Sequence, residues 1–209
     1  MNVTKVSDYF LGTFDAESGD NISHKKLQKL LYYAQGFHLA MHDGKTLFSN
    51  PIEAWEQGPV VRQVYEVYSG SSWQALNRPD GFEIYMYLPE ERELLDAVYR
   101  VYGKFSAGAL SEMTHQESPW LSTYDLAKGG RQSTPIERAK IRSYFTTIVE
   151  AGQRNESVDG RPVWPTNEFR FQRRAQIAAR ISSVNINFGA IAADFSAEPD
   201  PIEGRDEQS

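Results

Sequence analysis

The sequence predicts a mainly α-helical protein: a compact multi-helix domain of about six helices over residues 1–152, with a small β-ribbon attached, and a C-terminal extension over residues 153–209. Three observations carry this expectation. Apolar residues recur at three- and four-residue spacing in one segment after another as far as Gly152. Serine, threonine, glycine and proline stand where those segments start and stop. One stretch alone, GFEIYMYL at 81–88, alternates in the manner of a strand.

Taken in order, Thr4 is placed to cap a first helix carrying Val6, Tyr9, Phe10 and Phe14, which Gly19, Asp20 and Asn21 interrupt. Ser23 caps a second, with its stripe at Leu27, Leu30, Leu31, Ala34, Phe37, His38 and Met41 and its stop at Gly44. Gly36 lies inside that helix, where glycine costs about 1 kcal/mol relative to alanine, so a close packing contact is expected there. Pro59 suits the first turn of a third helix bearing Val60, Val61, Val64, Tyr65, Val67 and Tyr68, ended by Gly70. Residues 81–88 need a strand partner, and Leu47 and Phe48 are the candidates. Pro89 opens a fourth helix, with Glu90, Glu91 and Glu93 at its positive end and Leu94, Leu95, Val98, Val101 and Tyr102 inward. Ser106 caps a fifth, with Leu110 and Met113 inward, and Pro119 closes that region. Thr134-Pro135-Ile136-Glu137 reads as a capping box for a sixth, with Ile136, Ile141, Phe145 and Ile148 as its core stripe.

Past Gly152 the character changes. Residues 153–159 are polar and linker-like, and RPVWP at 161–165 is extended by its prolines. A segment at 167–184 has an amphipathic helical pattern, and six arginines stand against three acids between Arg154 and Arg180. Residues 194–209 carry six acids, one arginine and two prolines, the composition of a disordered acidic tail. No internal repeat is present.

With 209 residues, 40% of them hydrophobic, the chain is long enough to bury a core without disulfide or metal staples. It has no cysteine, which excludes disulfide frameworks, thiolate zinc sites and cysteine nucleophiles. The net charge of −6 is the wrong sign for general coating of nucleic acid. It divides into −4 over residues 1–152 and −2 over the extension. The N-terminus lacks the pattern of a secretory signal and no run reaches the roughly 18 apolar residues of a membrane span, so a cytoplasmic protein without a membrane partner is expected.

Catalytic signatures are few. There is no phosphate-cradling glycine loop, nucleophile elbow or paired zinc motif. His38 and His42 stand four apart on the second helix, within reach of one metal, but a third ligand from His24, His115 or a carboxylate is not signalled; packing and the helix dipole account for both. His115 and Glu117 are an acid–base pair only in principle. Two apart, they point different ways, and the simpler reading has His115 and Trp120 closing a corner between helices. Lys25, Lys26 and Lys29 read as a solvated helix face. No cofactor or metal is expected, and no catalytic residue is assigned.

Read together, YFL (9–11), HKKLQKLLYYAQGFHLA (24–40), IEAWEQGPVVRQVYEVY (52–68), LLDAVYRVYG (94–103), SAGALSEMTHQESPW (106–120) and IRSYF (141–145) resemble the Panacea antitoxin domain, a family with GepA-like and SocA-like members. The resemblance covers residues 4 to 150, and KLQKLLYYAQG followed by IEAWEQGPVV is its most specific part. It implies a helical antitoxin of a two-gene module, which binds and neutralises a cognate protein toxin encoded by the neighbouring gene. Phage, prophage and antiphage-defence settings go with the family. The alternative is an adaptor delivering the toxin to an ATP-dependent protease; an enzyme centred on His115 comes third. Nucleic acid would be met only through the toxin complex.

A binder of this kind works through aromatic and arginine contacts on a firm scaffold. The partner-binding candidates are Trp55, Gly58 and Pro59 at the turn, Tyr65, Tyr68, His115 and Trp120 in the domain, and Phe169, Phe171, Arg173, Arg174 and Arg180 in the extension. Each of the large aromatics, Trp73 included, could equally be core.

Overall fold

The computed structural model describes residues 1–13, 22–71, 75–130 and 132–165. All of them fall in the first of two compact units, Met1–Phe169; the second, Arg170–Ser209, lies outside the described residues. The expected helix at 167–184 and the acidic tail therefore lie outside them, as do Phe14 and Trp73.

Helix α2 (His24–Met41) is the axis of the fold. Ser23 caps it as expected, its hydroxyl accepting the Lys26 N–H at 3.4 Å, and Asp43 and Gly44 turn the chain away with positive φ. Fourteen of its 18 residues are buried, so the helix is enclosed on nearly every side and its polar side chains must find partners inside. Gln28 and Gln35, two turns apart on one face, do so by holding backbone. Gln28 Oε1 accepts the Val61 N–H at 2.8 Å. Gln35 Oε1 accepts the Leu47 N–H at 2.8 Å, and its amide donates to the Phe48 carbonyl at 2.9 Å. Two extended loops are thereby fixed along the central helix.

Around it lie α1 (Val3–Thr13), α3 (Arg62–Tyr68), α4 (Pro89–Val98), α5 (Ala107–His115), the short α6 (Ser118–Leu121) and α7 (Arg138–Gln153). A π-helical turn, Tyr99–Gly103, prolongs α4. The expected mainly α-helical fold is found, and among the described residues no helix is long and apolar enough to cross a membrane. α7 packs most extensively on α2. There Phe145 meets Phe37 edge to face, with ring centroids 4.8 Å apart, and its ring occupies the place a Cβ on Gly36 would need. That is the close contact the sequence anticipated.

The ribbon differs from expectation. It is a three-stranded antiparallel sheet of order β2-β1-β3, formed by β1 (Glu53–Trp55), β2 (Gly58–Val60) and β3 (Thr134–Pro135). Glu53 pairs with Val60 on one side and Pro135 on the other. Leu47 and Phe48 are unavailable as strands because their backbone is bound to Gln35. Residues 84–86 form a single 3-10 turn in which Tyr85 is exposed, while Tyr87 turns inward against Tyr9, ring centroids 4.9 Å apart.

Three start signals also shift. Pro59 belongs to the edge strand β2, where a missing N–H is tolerated, and α3 begins at Arg62. Thr134 and Pro135 form β3 rather than a capping box, with Ile136 N–H donating to the Ile52 carbonyl at 2.8 Å and α7 following Glu137. Asn2 instead of Thr4 caps α1, its side-chain oxygen accepting the Lys5 N–H at 2.7 Å. Pro119, read as a terminator, lies in the first turn of α6.

Packing continues beyond Gly152. That glycine lies against the Trp164 backbone, with no room for a Cβ, and α7 runs one residue past it. The chain then turns back through Asn155, Asp159 and Gly160, all at positive φ. Residues 156–165 are neither helix nor strand, yet Arg161 and Trp164 are buried, and the Trp164 ring stacks on Phe37 with centroids 3.4 Å apart.

Candidate functional site

A cavity of about 490 Å³ opens where the N-terminal turns of α2 meet the β1–β2 hairpin and α3. His24, Lys25 and Lys29 line it from α2, Trp55 and Gln57 from the hairpin, and Tyr65 from α3. Lys25 is half-buried, but Lys26 and Lys29 are buried, which corrects the expectation of a solvated lysine face. The reason is tertiary: the hairpin folds across Lys29, and the Lys26 ammonium lies over the Tyr99 ring, 5.8 Å from its centroid.

Lys29 is 1% exposed and donates to the Pro59 carbonyl at 3.0 Å. Gly58, at φ +98°, passes directly over its ammonium; a Cβ there would lie 2.7 Å from Lys29 Nζ and 2.6 Å from Thr114 Oγ1. Glycine is therefore required on both counts. Burial lowers the Lys29 pKa to about 7, and the Lys25 charge adds to the effect. His24 and His115 are lowered too, first by burial and then by the Lys29 charge.

The hairpin is braced from behind. Ser111 Oγ donates to the Gln57 carbonyl at 2.6 Å and Trp120 Nε1 to the Trp55 carbonyl at 2.9 Å. His115 hydrogen-bonds the Glu56 backbone and packs on Trp120, ring centroids 4.3 Å apart, the corner the sequence suggested. In front, Trp55 Nε1 donates to Glu53 Oε2 at 2.8 Å, and Arg62 holds both oxygens of that carboxylate at 3.1 and 2.8 Å. Arg62 also covers the Trp55 ring, 5.4 Å from its centroid.

The fold thus gathers seven of the sequence candidates into one region. Trp55 and Tyr65 are half-buried ring neighbours with centroids 4.8 Å apart, His24 links Tyr65 to Tyr68, and Gly58 and Pro59 form the strand over Lys29. Trp120 is buried and shapes the hairpin from inside. Phe169, Phe171, Arg173, Arg174 and Arg180 lie outside the described residues.

A second polar centre lies deeper. Glu117 is fully buried; Arg161 Nη1 lies 3.0 Å from its Oε1, to which Tyr33 also donates at 3.0 Å. Burial pushes the Glu117 pKa up to about 7, opposed by Arg161 and the hydroxyls of Tyr32 and Tyr33. His115 faces the hairpin while Glu117 faces Arg161, so the two do not act as a pair. From sequence, Lys29 reads only as part of a solvated lysine face, Glu117 only as a neighbour of His115, and Arg161 only as one of the arginines past Gly152, because none of the three belongs to a motif. His38 and His42 stack with centroids 4.2 Å apart, and His38 Nδ1 donates to the Lys45 carbonyl at 2.9 Å. Among the described residues no three histidines or carboxylates are grouped to hold a metal.

The architecture is that of a small helical domain built on one enclosed helix, with a braced hairpin presented over a basic pocket. Residues 27–121 match the family model described as "Antitoxin SocA-like, Panacea domain". Over 110 residues it is 33% identical to the protein named Antitoxin SocA of Caulobacter vibrioides (strain NA1000 / CB15N), a match covering 47% of this chain and 58% of that relative, so the chain spans less than two thirds of the relative's length. No solved structure matches. The family stretch contains Lys29, the hairpin and Glu117; Arg161 and Trp164 lie beyond it.

Proposed function

We propose that this protein is the antitoxin of a two-gene toxin–antitoxin module and neutralises a cognate protein toxin, encoded beside it, by direct contact in the cytoplasm. The supporting observation, alongside the family match, is the hairpin. Glu56 and Gln57 are exposed at its tip, Trp55 and Tyr65 are half-buried beside it, and hydrogen bonds from Ser111 and Trp120 fix its backbone. Rigid aromatic anchors at the edge of a pocket suit a binding hot spot, since little conformational entropy is lost on docking. Residues 153–209 act as the extension of this domain, with Phe169, Phe171, Arg173, Arg174 and Arg180 adding contact area to the toxin.

The test is co-expression with the neighbouring gene. Growth should be restored, a stoichiometric complex should form, and rescue should persist in cells lacking ATP-dependent proteases. Rescue that disappears in those cells makes the protein an adaptor. His115→Ala should leave rescue intact; lost rescue with binding and folding retained would place chemistry at that residue.

A further inference from the structure

The pocket has a charge pattern that contact with a toxin does not by itself explain. The first turn of α2 contains no acid. It holds His24, Lys25 and Lys26 where the helix dipole favours negative groups. Three basic side chains, His24, Lys25 and Lys29, line one cavity, and Glu56 at the exposed hairpin tip is its sole acid among the described residues. Lys29 is buried, and no carboxylate among the described residues lies within ion-pair distance of it. Its hydrogen bond to the Pro59 carbonyl uses one of the three donors of an ammonium. Glu117 attracts it from the core side; Lys25 opposes it from the pocket side. A desolvated cation left in this state is costly unless an anion completes it.

We propose that the cavity is a carboxylate-binding site, in which an aspartate or glutamate side chain of the protein partner enters past Lys25 and Trp55 and accepts hydrogen bonds from Lys29 Nζ. In taking its carboxylate from a partner, the inference rests on the toxin-binding reading above. A monoanion is the matching class. Among the described residues the lining contains no arginine fork for a phosphate, and Glu56 at the rim disfavours a dianion. The Trp55 and Tyr65 rings supply an apolar wall for the methylenes of the entering side chain, and about 490 Å³ leaves room for the loop tip that carries it.

Two measurements on the full chain decide this. In the first, the 15N-labelled protein is titrated with N-acetyl-glutamate N-methylamide, with the glutamine analogue and inorganic phosphate as controls. Saturable shifts are expected at His24, Lys25, Gln57 and the Trp55 indole with the glutamate analogue alone. They should vanish in Lys29→Met and weaken about tenfold in Lys25→Gln, the loss of one charge-assisted contact. Lys25 is half-buried at the rim, so its variant reports even if Lys29→Met does not fold. An equal response to the glutamine analogue, saturation by phosphate instead, or a response unchanged in the variants overturns the site. In the second, Lys25→Gln should weaken the complex with the neighbouring-gene toxin about tenfold; wild type and variant binding equally overturns the partner-borne carboxylate. Wild type that binds no toxin overturns the proposed function, while the glutamate titration still tests the pocket independently.

Discussion

Arg161 Nη1 lies 3.0 Å from Glu117 Oε1, and both side chains are withdrawn from solvent, at 2% and 0% exposure. Arg161 also donates to the Met113 carbonyl at 2.7 Å, so one residue past the last helix satisfies α5 and the acid that precedes α6. Removing one partner of such a pair leaves a buried charge uncompensated, at a cost of about 3–5 kcal/mol. Arg161→Met should therefore destabilise the protein by roughly that amount at alkaline pH. The deficit should shrink in acid. Glu117 already has a folded-state pKa of about 7, above its ordinary 4.5, and losing Arg161 raises it further. A group raised in the folded state holds its proton more tightly there, so its penalty is full above the folded value and is relieved as pH falls toward the unfolded one. Urea denaturation of wild type and variant at about pH 5 and about pH 8 gives the comparison; equal deficits at both would exclude this account.

Truncation asks how far the folding unit extends. A chain ending at residue 165 retains Arg161 and the Trp164–Phe37 stack, whereas one ending at 152 loses both. Removing a large buried aromatic side chain alone costs about 3–5 kcal/mol. The 1–165 chain should melt cooperatively near the full-length temperature, and the 1–152 chain should melt far lower or not cooperatively. Indistinguishable melting curves would show that residues 153–165 contribute no stability.

Much of this was legible locally. Ser23, Ser106 and Pro89 announce their helices through capping chemistry that depends only on near neighbours, and Gly36 signals a close contact because glycine is otherwise unfavourable there. The hairpin was not legible: Pro59-Val60-Val61 satisfies the pattern of a helix start, and strands of three residues are too short to display alternation. What selects strand over helix is distant, the Gln28 amide bound to the Val61 backbone and the Trp120 indole bound to Trp55. The same limit hid the charges. Lys29 has the local surroundings of a solvated lysine until the hairpin covers it, and nothing near Glu117 in sequence points to Arg161. In the sequence Trp55 stands at a turn, Tyr65 on a helix, and His115 and Trp120 at a corner between helices, and the fold brings them together through the very hairpin that the sequence obscured.

Gly36→Ala separates helix propensity from packing. Propensity alone favours alanine by about 1 kcal/mol. The added Cβ, however, runs into the Phe145 ring, which is itself held by Tyr32, Tyr33 and Phe37. Net destabilisation of about 1–3 kcal/mol is expected from overpacking. Adding Phe145→Leu should recover part of it, with a coupling of at least about 0.5 kcal/mol in a double-mutant cycle of thermal stabilities. A stabilised single variant would mean that the ring moves aside freely.

Lys29 makes stability rise with pH over an unusual range. Its folded-state pKa is near 7, against 10.5 in the unfolded chain, because burial and then the Lys25 charge disfavour the ammonium. Below about pH 7 both states hold the proton and the folded state carries the full cost of the buried charge. Between 7 and 10.5 the unfolded chain keeps a proton that the folded protein has released, so stability increases with pH, by at most about 1.4 kcal/mol per unit. Of the other described groups, Glu117 lies at the lower edge of this window, His24, His38 and His115 are lowered from 6.5, and Tyr32, Tyr33 and Tyr102 are raised well above 10. Lys29→Met removes the effect and supplies the baseline. Wild-type stability relative to that variant, measured by denaturant unfolding from about pH 7.5 to about pH 9.5, should climb steadily across the range. A flat difference would mean that Lys29 keeps its proton in the folded protein, and that the pocket already contains the charge needed to hold it.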